Sequence, residues 1–527
     1  MQELNNNNNS SSADRSLLED FEREIWSKVP HLEDKSGKVV NATPLKDITA
    51  DLKECAKSVF GIDLADKNLR VFGKFDSKLL AGSIKSRPAV NILRDAIATG
   101  KIKRGQTIFE ATSGNFGIAL GLIGKRIGLN VVTLVSRKLQ EGVFEELRNE
   151  DIRIVNLDMD ICPAPGMKGD ANLMAAKATA WNVRAQLSEL GFDPAIFDRS
   201  RSEIEAVLAK QDIINLAKLL AKVYDGCFCP EQYDNELNIE VHRTVTGPEI
   251  EQQLHEQGHS LADFRIVCTF GTGGTSGGLS RYMMEKHGKK AVHVIFPPAD
   301  QDVAGIRTKA KASGLKFYEP DQYAGQHEVD FGGQAKRLLK FFVDKGYDMG
   351  ESSALALYAA MQMANFGGEG RFVVIIADGI QKYRKNLEAM QQQQKQKRLE
   401  VPLQEAVSNI GNYDRVVWIH TMYTPRKEGI ELIAKTLGID ESKIYVPKAS
   451  EVEQLLMTQQ IPKEMEKSLG GPDSKPLLVC MMGNTSLRVA QVLGQKGIGA
   501  ESLTGGINTL SQGKGKHISE LVRMATE

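Results

Sequence analysis

Three short segments of the 527-residue chain place glycine and small hydroxyl residues where an apolar run gives way to a helix-like run. They are AGSIKSR (81–87), ATSGNFG (111–117) and FGTGGTSGG (270–278). Glycine permits close backbone approach, and a helix N-terminus presents unpaired N–H groups to an anion. The third segment, between FRIVCTF and LSRYMMEK, therefore has the form of a phosphate cup. It lacks the Lys-Ser/Thr ending of a Walker loop and the full G-x-G-x-x-G fingerprint, and alone it reads as easily as a tight connection. Far downstream, PLLV leads into CMMGNTS and then LRVAQVLGQKG. Cys480 stands there at a strand end beside loop amides and a helix N-terminus, a setting that stabilises a thiolate. Cys227 and Cys229 have no second ligand pair at zinc spacing, Cys268 lies in an apolar strand, and nine scattered histidines form no HExxH-like constellation. No metal site is expected.

The elements that must carry these loops follow an α/β rhythm. TIFEA, NVVTLV and IRIVNL read as buried strands, with helical spacing in FGIALGLIGKRIG and VFEELRNE between them. Strand and helix in alternation predict parallel sheets with both faces covered. The rhythm returns at FRIVCTF and AVHVIFPP and closes with SALALYAAMQMAN and RFVVIIA. Residues 170–220 read as a helical insertion, either a surface-packing addition or an oligomer contact. Residues 1–15, with the polar tract Asn5 to Ser12, read as a disordered tail. A catalytic domain is expected over 16–390, a linker over 391–412 around LEAMQQQQKQKRLEVP, and a second α/β domain over 413–527.

Lys plus Arg number 67 and Asp plus Glu number 67, a balance that does not argue for nucleic acid or a membrane surface as partner. No apolar run approaches the ~20 residues of a membrane span. Six cysteines are too few for a disulfide scaffold. The expected setting is a reducing cytoplasm.

In order and separation, the first three segments resemble the fold type II family of pyridoxal-phosphate enzymes, especially cysteine synthase and cystathionine β-synthase. There the motifs run close to G-S-V-K-D-R, T-S-G-N-T-G and G-T-G-G-T. PEQYDNELNIEVHRTVTGPEI (230–250) and GYDMGESSALALYAA resemble later segments of the same family, so the likeness spans roughly residues 40–390. It implies a tryptophan synthase β-like fold of two lobes, each a parallel sheet with covering helices, in a homodimer. It implies pyridoxal 5′-phosphate as cofactor, with Lys85 forming the Schiff base and shuttling the α-proton. Asn115 is expected at the ring 3-hydroxyl, and Gly271, Thr272, Gly273, Gly274 and Thr275 at the phosphate. Thr112, Ser113, Gly114 and Gln232 are expected at the substrate carboxylate. His242 is expected to be structural. ADGIQKY resembles the motif whose serine meets the pyridine nitrogen, and Gly379 occupies that serine's place. The nitrogen partner is then missing, or is replaced by Asp378, another group or water.

The Cys480 segment, followed by AESLTGGIN, is similar to a rhodanese-like domain, with Cys480 at the nucleophile position and Gly483 and Ser486 at matching loop positions. Met481 and Thr485 stand where that loop usually carries cations. Together the resemblances imply β-replacement on O-acetylserine, O-phosphoserine or serine by sulfide or a thiol. The alternatives are a cysteine β-lyase that passes sulfur to Cys480, and a non-catalytic sulfur- or cofactor-sensing protein.

Overall fold

A computed structural model describes residues 14–33, 36–112, 114–135, 141–157, 173–366, 369–384, 387, 399–420, 427–470, 474–480 and 483–507. The Asn5 to Ser12 tract, Ser113, Met481 and the polar run 388–398 lie outside them. The chain divides into two units, Met1–Lys385 and Asn386–Glu527. Among the described residues no helix is long and apolar enough to cross a membrane.

The first unit holds the two expected parallel sheets. The smaller has the order Arg153–Asn156, Asn130–Val135, Thr107–Ala111, Cys227–Phe228, all parallel. The larger has the order Gly325–Glu328, Val292–Phe296, Arg265–Thr269, Glu369–Ile376, Asn68–Phe75, Leu45–Asp47. Only the last of these pairs antiparallel. Strands such as NVVTLV are apolar on both faces because helices cover both. Phe109 and Val132 of the smaller sheet join Ile266 and Val294 of the larger in one continuous buried cluster. A second cluster forms where helices Ser86–Ala98 and Asn115–Ile127 meet, around Leu93, Ile97, Leu120 and Ile123.

The segment 170–220, expected as a helical insertion, is described from residue 173 onward as four helices. Helices Leu173–Glu189, Pro194–Arg199, Arg201–Ala209 and Ile213–Val223 bury Val183, Phe197, Leu208 and Leu220 in the same cluster as Phe109. They are part of the core of the first unit, not a surface addition. Asp193 and Asp212 cap the second and fourth of them by accepting the backbone N–H groups of Ala195 and Asn215.

The second unit is a five-stranded parallel sheet ordered Glu400–Val401, Glu501–Leu503, Pro476–Val479, Arg415–Trp418, Ile444–Tyr445. Its first strand and the helix Leu403–Ser408 come from the segment expected as linker. Val401 and Ala406 are buried there. Elements of two and six residues are too short for a hydrophobic period to announce them.

A buried charge network ties helix Ser86–Ala98 to the larger sheet. The Arg87 guanidinium donates to both carboxylate oxygens of Asp76 (3.0 and 2.7 Å) and lies 2.7 Å from Glu249. Lys74, inside strand Asn68–Phe75, donates to Glu249 at 2.6 Å, to the Thr43 carbonyl and to Gln253. All four charged side chains are buried. Burial draws the Lys74 amine below its ordinary value. Burial pushes the Asp76 carboxyl up, yet the Arg87 charge and hydrogen bonds outweigh it and hold the group below the usual carboxylate range. Removing one partner strands the others in a low dielectric. Arg87→Ala is therefore expected to lower the unfolding free energy by about 3–5 kcal/mol, with Arg87→Lys recovering part of it because the charge stays while the planar fork is lost. Urea unfolding of the three proteins checks this, and equal midpoints for wild type and Arg87→Ala would contradict it.

Candidate active site

Five loops of the first unit, each following a parallel strand, line one cavity of about 190 Å³. The carboxyl ends of parallel strands are the usual ligand sites of α/β sheets. Lys85 comes from the loop after Asn68–Phe75, Thr112 from the loop after Thr107–Ala111, and Gly271 to Ser276 from the turn after Arg265–Thr269. Asp302 to Arg307 follow Val292–Phe296, and Ala377 with Asp378 follow Glu369–Ile376.

Lys85 caps helix Ser86–Ala98 and keeps some exposure only as a lining residue of the cavity. A Cβ placed on Gly271 would stand 3.7 Å from its Nζ, so the amine faces the glycine loop. Burial, with the nearby Arg307 charge, pulls this amine down to about 8. Arg307 itself is buried and donates to the Tyr233 hydroxyl at 2.8 Å.

The glycine loop turns sharply into helix Gly274–His287. Gly273 has φ 93°, and a Cβ there would meet the Phe317 carbonyl at 2.7 Å. Both facts demand glycine. The Thr272 hydroxyl accepts from Asn238 Nδ2 (3.0 Å) and from the Gly274 amide (3.3 Å). Thr275 Oγ1 lies 3.2 Å from His242 Nε2, whose ring also meets Thr246 at 3.0 Å. Burial draws His242 down to about 3, so the ring is neutral and structural, as expected.

On the facing loop, the Thr112 hydroxyl accepts the amides of Gly114 (3.0 Å) and Gly117 (3.2 Å) and so caps helix Asn115–Ile127 while lining the cavity. Gln232 also lines the cavity, and its Nε2 donates to the Ala111 carbonyl at 3.2 Å. The preceding loop is held by Glu110, which accepts the Glu231 amide at 3.1 Å. Burial pushes the Glu110 carboxyl up to about 8. Gly114 is not a lining residue: a Cβ there would meet Val143 at 2.2 Å, so its glycine serves the packing of that segment.

At the end of strand Glu369–Ile376 lie Asp378 and Gly379, the latter expected as a cofactor contact. A Cβ on Gly379 would point at Asp348, 2.3 Å from its Oδ1, and Gly379 does not line the cavity. A serine there would meet Asp348 rather than a ligand. Asp378 is the lining residue. It is buried, and one oxygen accepts from Asn115 Nδ2 (2.9 Å) and the Tyr383 hydroxyl (2.6 Å). Lys382 in turn donates to Asn115 Oδ1. Sequence reasoning also missed Arg307 and Tyr233 as lining residues. Their signal was position alone: the DVAGIR run follows a predicted strand, at the end where ligands collect.

In the second unit, Cys480 is buried at the end of strand Pro476–Val479. Its Sγ accepts the Gly483 amide at 3.1 Å and the Ser486 hydroxyl at 3.3 Å.

The cavity fits pyridoxal 5′-phosphate on three counts. An amine of lowered basicity faces inward, a glycine cup at a helix N-terminus stands against it, and a buried carboxylate, Asp378, also lines the cavity. An amine attacks an aldehyde only when unprotonated, and burial favours that form. Capture of the cofactor by cofactor-free protein is therefore expected to accelerate about tenfold per pH unit below 8 and to level off above it. Borohydride trapping of the linkage measures this. Lys85→Ala should trap none, and a rate flat from pH 6 to 8 would count against the lowered amine.

The sequence model of the family described as pyridoxal-phosphate dependent enzyme matches residues 62–378. Cysteine synthase of Staphylococcus aureus is 27% identical over 318 residues, covering 59% of this chain and 86% of its own length. Cysteine synthase 1 of Emericella nidulans is 25% identical over 336 residues, covering 60% and 77%. A crystal structure of an O-acetylserine-dependent cystathionine β-synthase from Helicobacter pylori aligns with a TM-score of 0.47 at 20% identity, over 65% of this chain and 94% of that one. The buried inward-facing lysine, the glycine cup and the family match over 62–378 agree, and the chain belongs to the pyridoxal-phosphate dependent enzymes, of the cysteine synthase type.

Proposed function

We propose that the first unit performs β-replacement on a serine derivative, with O-acetylserine, O-phosphoserine or serine as donor and sulfide or a thiol as acceptor. The observation that carries this reading is the Lys85 amine, lowered to about 8 and facing the Gly271 loop across the cavity. Pyridoxal 5′-phosphate, when bound, supplies an aldehyde for amines and a conjugated ring that accepts electrons released at Cα. Lys85 would hold it covalently, and its Nζ, once freed from that bond, would be the base that takes the proton from the substrate Cα, a task suited to an amine with basicity near working pH.

The remaining roles follow from hydrogen-bond valence. A hydroxyl has one proton and two acceptor sites. Thr272 accepts twice already, so its proton is left for a phosphate oxygen, beside the amides of Gly273, Gly274 and Thr275 at the helix start. Thr112 likewise accepts twice, so its proton is left for the substrate carboxylate, with Gln232 beside it, bonded to the Ala111 carbonyl. Asn115 is assigned to the ring hydroxyl. Phe116, buried beside Thr112, keeps water from the reacting carbon.

A second reading is supported by Cys480, whose sulfur accepts hydrogen bonds from the Gly483 amide and the Ser486 hydroxyl. In it the first unit eliminates sulfide from cysteine, and Cys480 receives sulfur from a sulfane donor of persulfide type.

The test supplies each serine derivative with sulfide, and cysteine alone in parallel. Cysteine formed from a serine derivative is the expected outcome, with Lys85→Ala slower by at least about 10²-fold. Pyruvate and sulfide from cysteine alone, with no cysteine formed from any donor, would replace the first reading by the second. Mass spectrometry after a persulfide donor then reads Cys480 directly, with Cys480→Ser as the blank.

A further inference from the structure

Strand Thr107–Ala111 carries a glutamate between two apolar neighbours, and Glu110 is buried with Phe109 and Ala111. An ionisable side chain is seldom kept at such a position without partners. Its partners here are backbone N–H groups. Glu110 Oε2 accepts the Glu231 amide at 3.1 Å, and the Gln232 amide bonds the carboxyl as well. Glu110 does not line the cavity, but Gln232 does.

We propose that Glu110 is a positioning residue for substrate binding: by accepting the loop amides, its carboxylate aims Gln232 at the substrate carboxylate. This rests on Gln232 standing at that carboxylate. The loop has to be held, because Glu231 has φ 57°, a left-handed backbone that few residues other than glycine adopt. It is gripped on several sides. The Gln232 carbonyl accepts from Asn238 Nδ2 at 2.6 Å, and the same Nδ2 reaches Thr272 of the glycine loop. Gln232 Nε2 gives one proton to the Ala111 carbonyl, next along the strand from Glu110, and has a second for an acceptor in the cavity. From helix Ile213–Val223, Lys218 pairs with Glu231 at 2.8 Å and with Asp234 at 2.5 Å.

A carboxylate only accepts, whereas a carboxylic acid carries a proton on one oxygen and loses an acceptor there. Burial pushes Glu110 up to about 8, against the pull of the two amides. The other titratable groups that face it are Cys229, Glu231 and Lys218. Burial raises the Cys229 thiol well above its usual value, so it stays neutral, and the Glu231 and Lys218 charges have opposite signs. Above pH 8 the loop amides have their full acceptor and Gln232 is set. Below it the hold weakens. Amino-acid binding is therefore expected to tighten as pH rises through 8, apart from any titration of the substrate's own amine.

The test titrates full-length protein, loaded with pyridoxal 5′-phosphate, with L-serine at pH 6.5 and pH 9 and reads the dissociation constant from the cofactor's absorbance. Wild type is compared with Glu110→Gln, which keeps the shape of the protonated side chain, with Gln232→Ala and with the double variant. The ratio of variant to wild type cancels the titration of the serine amine, common to all four proteins. Glu110→Gln is expected to weaken serine binding about tenfold at pH 9, the size of one charge-assisted contact, and less than about twofold at pH 6.5. On the Gln232→Ala background the same substitution should change nothing. A Glu110→Gln ratio equal at the two pH values, or one that persists without Gln232, makes Glu110 a structural residue only and overturns the proposal. If Glu110→Gln does not fold, the ratio of Gln232→Ala to wild type decides: it should be larger at pH 9, and equal ratios overturn the proposal. Gln232→Ala that binds serine as tightly as wild type at pH 9 overturns the assignment of Gln232 itself. Serine without spectral effect at either pH overturns the reading of the cavity as an amino-acid site, and this proposal with it.

Discussion

The position of the reactive amine depends on charges that never meet a ligand. Lys85 stands two residues before Arg87, and Arg87 is clamped by Asp76 and Glu249, with Lys74 completing the square. These side chains come from strand Asn68–Phe75, the turn after it, helix Ser86–Ala98 and helix Gly247–Glu256. The network therefore joins the start of the Lys85 helix to three other elements at one point. Such networks add little net stability over an apolar replacement. What this one does is fix register, because a shift of helix Ser86–Ala98 would break the Arg87 contacts to both Asp76 and Glu249 at once.

That register delivers Lys85 to a place prepared by both sheets. The smaller sheet contributes Thr112 and Asn115, and the larger contributes the Gly271 loop, the Arg307 loop and Asp378. Each arrives at the carboxyl end of a parallel strand, so the cavity follows from parallel topology as much as from any single motif. The helices of residues 173–223 bury the outer face of the smaller sheet, and Ile213 of the last one reaches the cavity wall.

Motif-bearing parts of the site were legible in the sequence because each motif is a self-contained local geometry. Gly273 must be glycine for its own backbone angle, and Lys85 must precede a helix, whatever surrounds them. Legibility failed where direction mattered. ADGIQKY places Gly379 in register with a serine, but register does not say which neighbour lines the cavity, and at this strand end it is Asp378. It failed again where the partner was remote. The helical period of Ile213–Val223 was plain, yet nothing in it says that its apolar face meets Phe109. The strand Glu400–Val401 was too short to carry any period, and only its pairing with Glu501–Leu503 makes it a strand.

The paired amides on Thr112 and Thr272 have a wider consequence. Each threonine oxygen has both lone pairs occupied by the protein, on two loops that line one cavity. A visiting group that needs to donate finds no acceptor at either hydroxyl, and only a group with free lone pairs is welcomed. The two threonines thus act as a polarity sieve, one-way gates set by the backbone before any ligand arrives. The polarity of both positions is fixed by the folding of two helix starts, ahead of any fit by size.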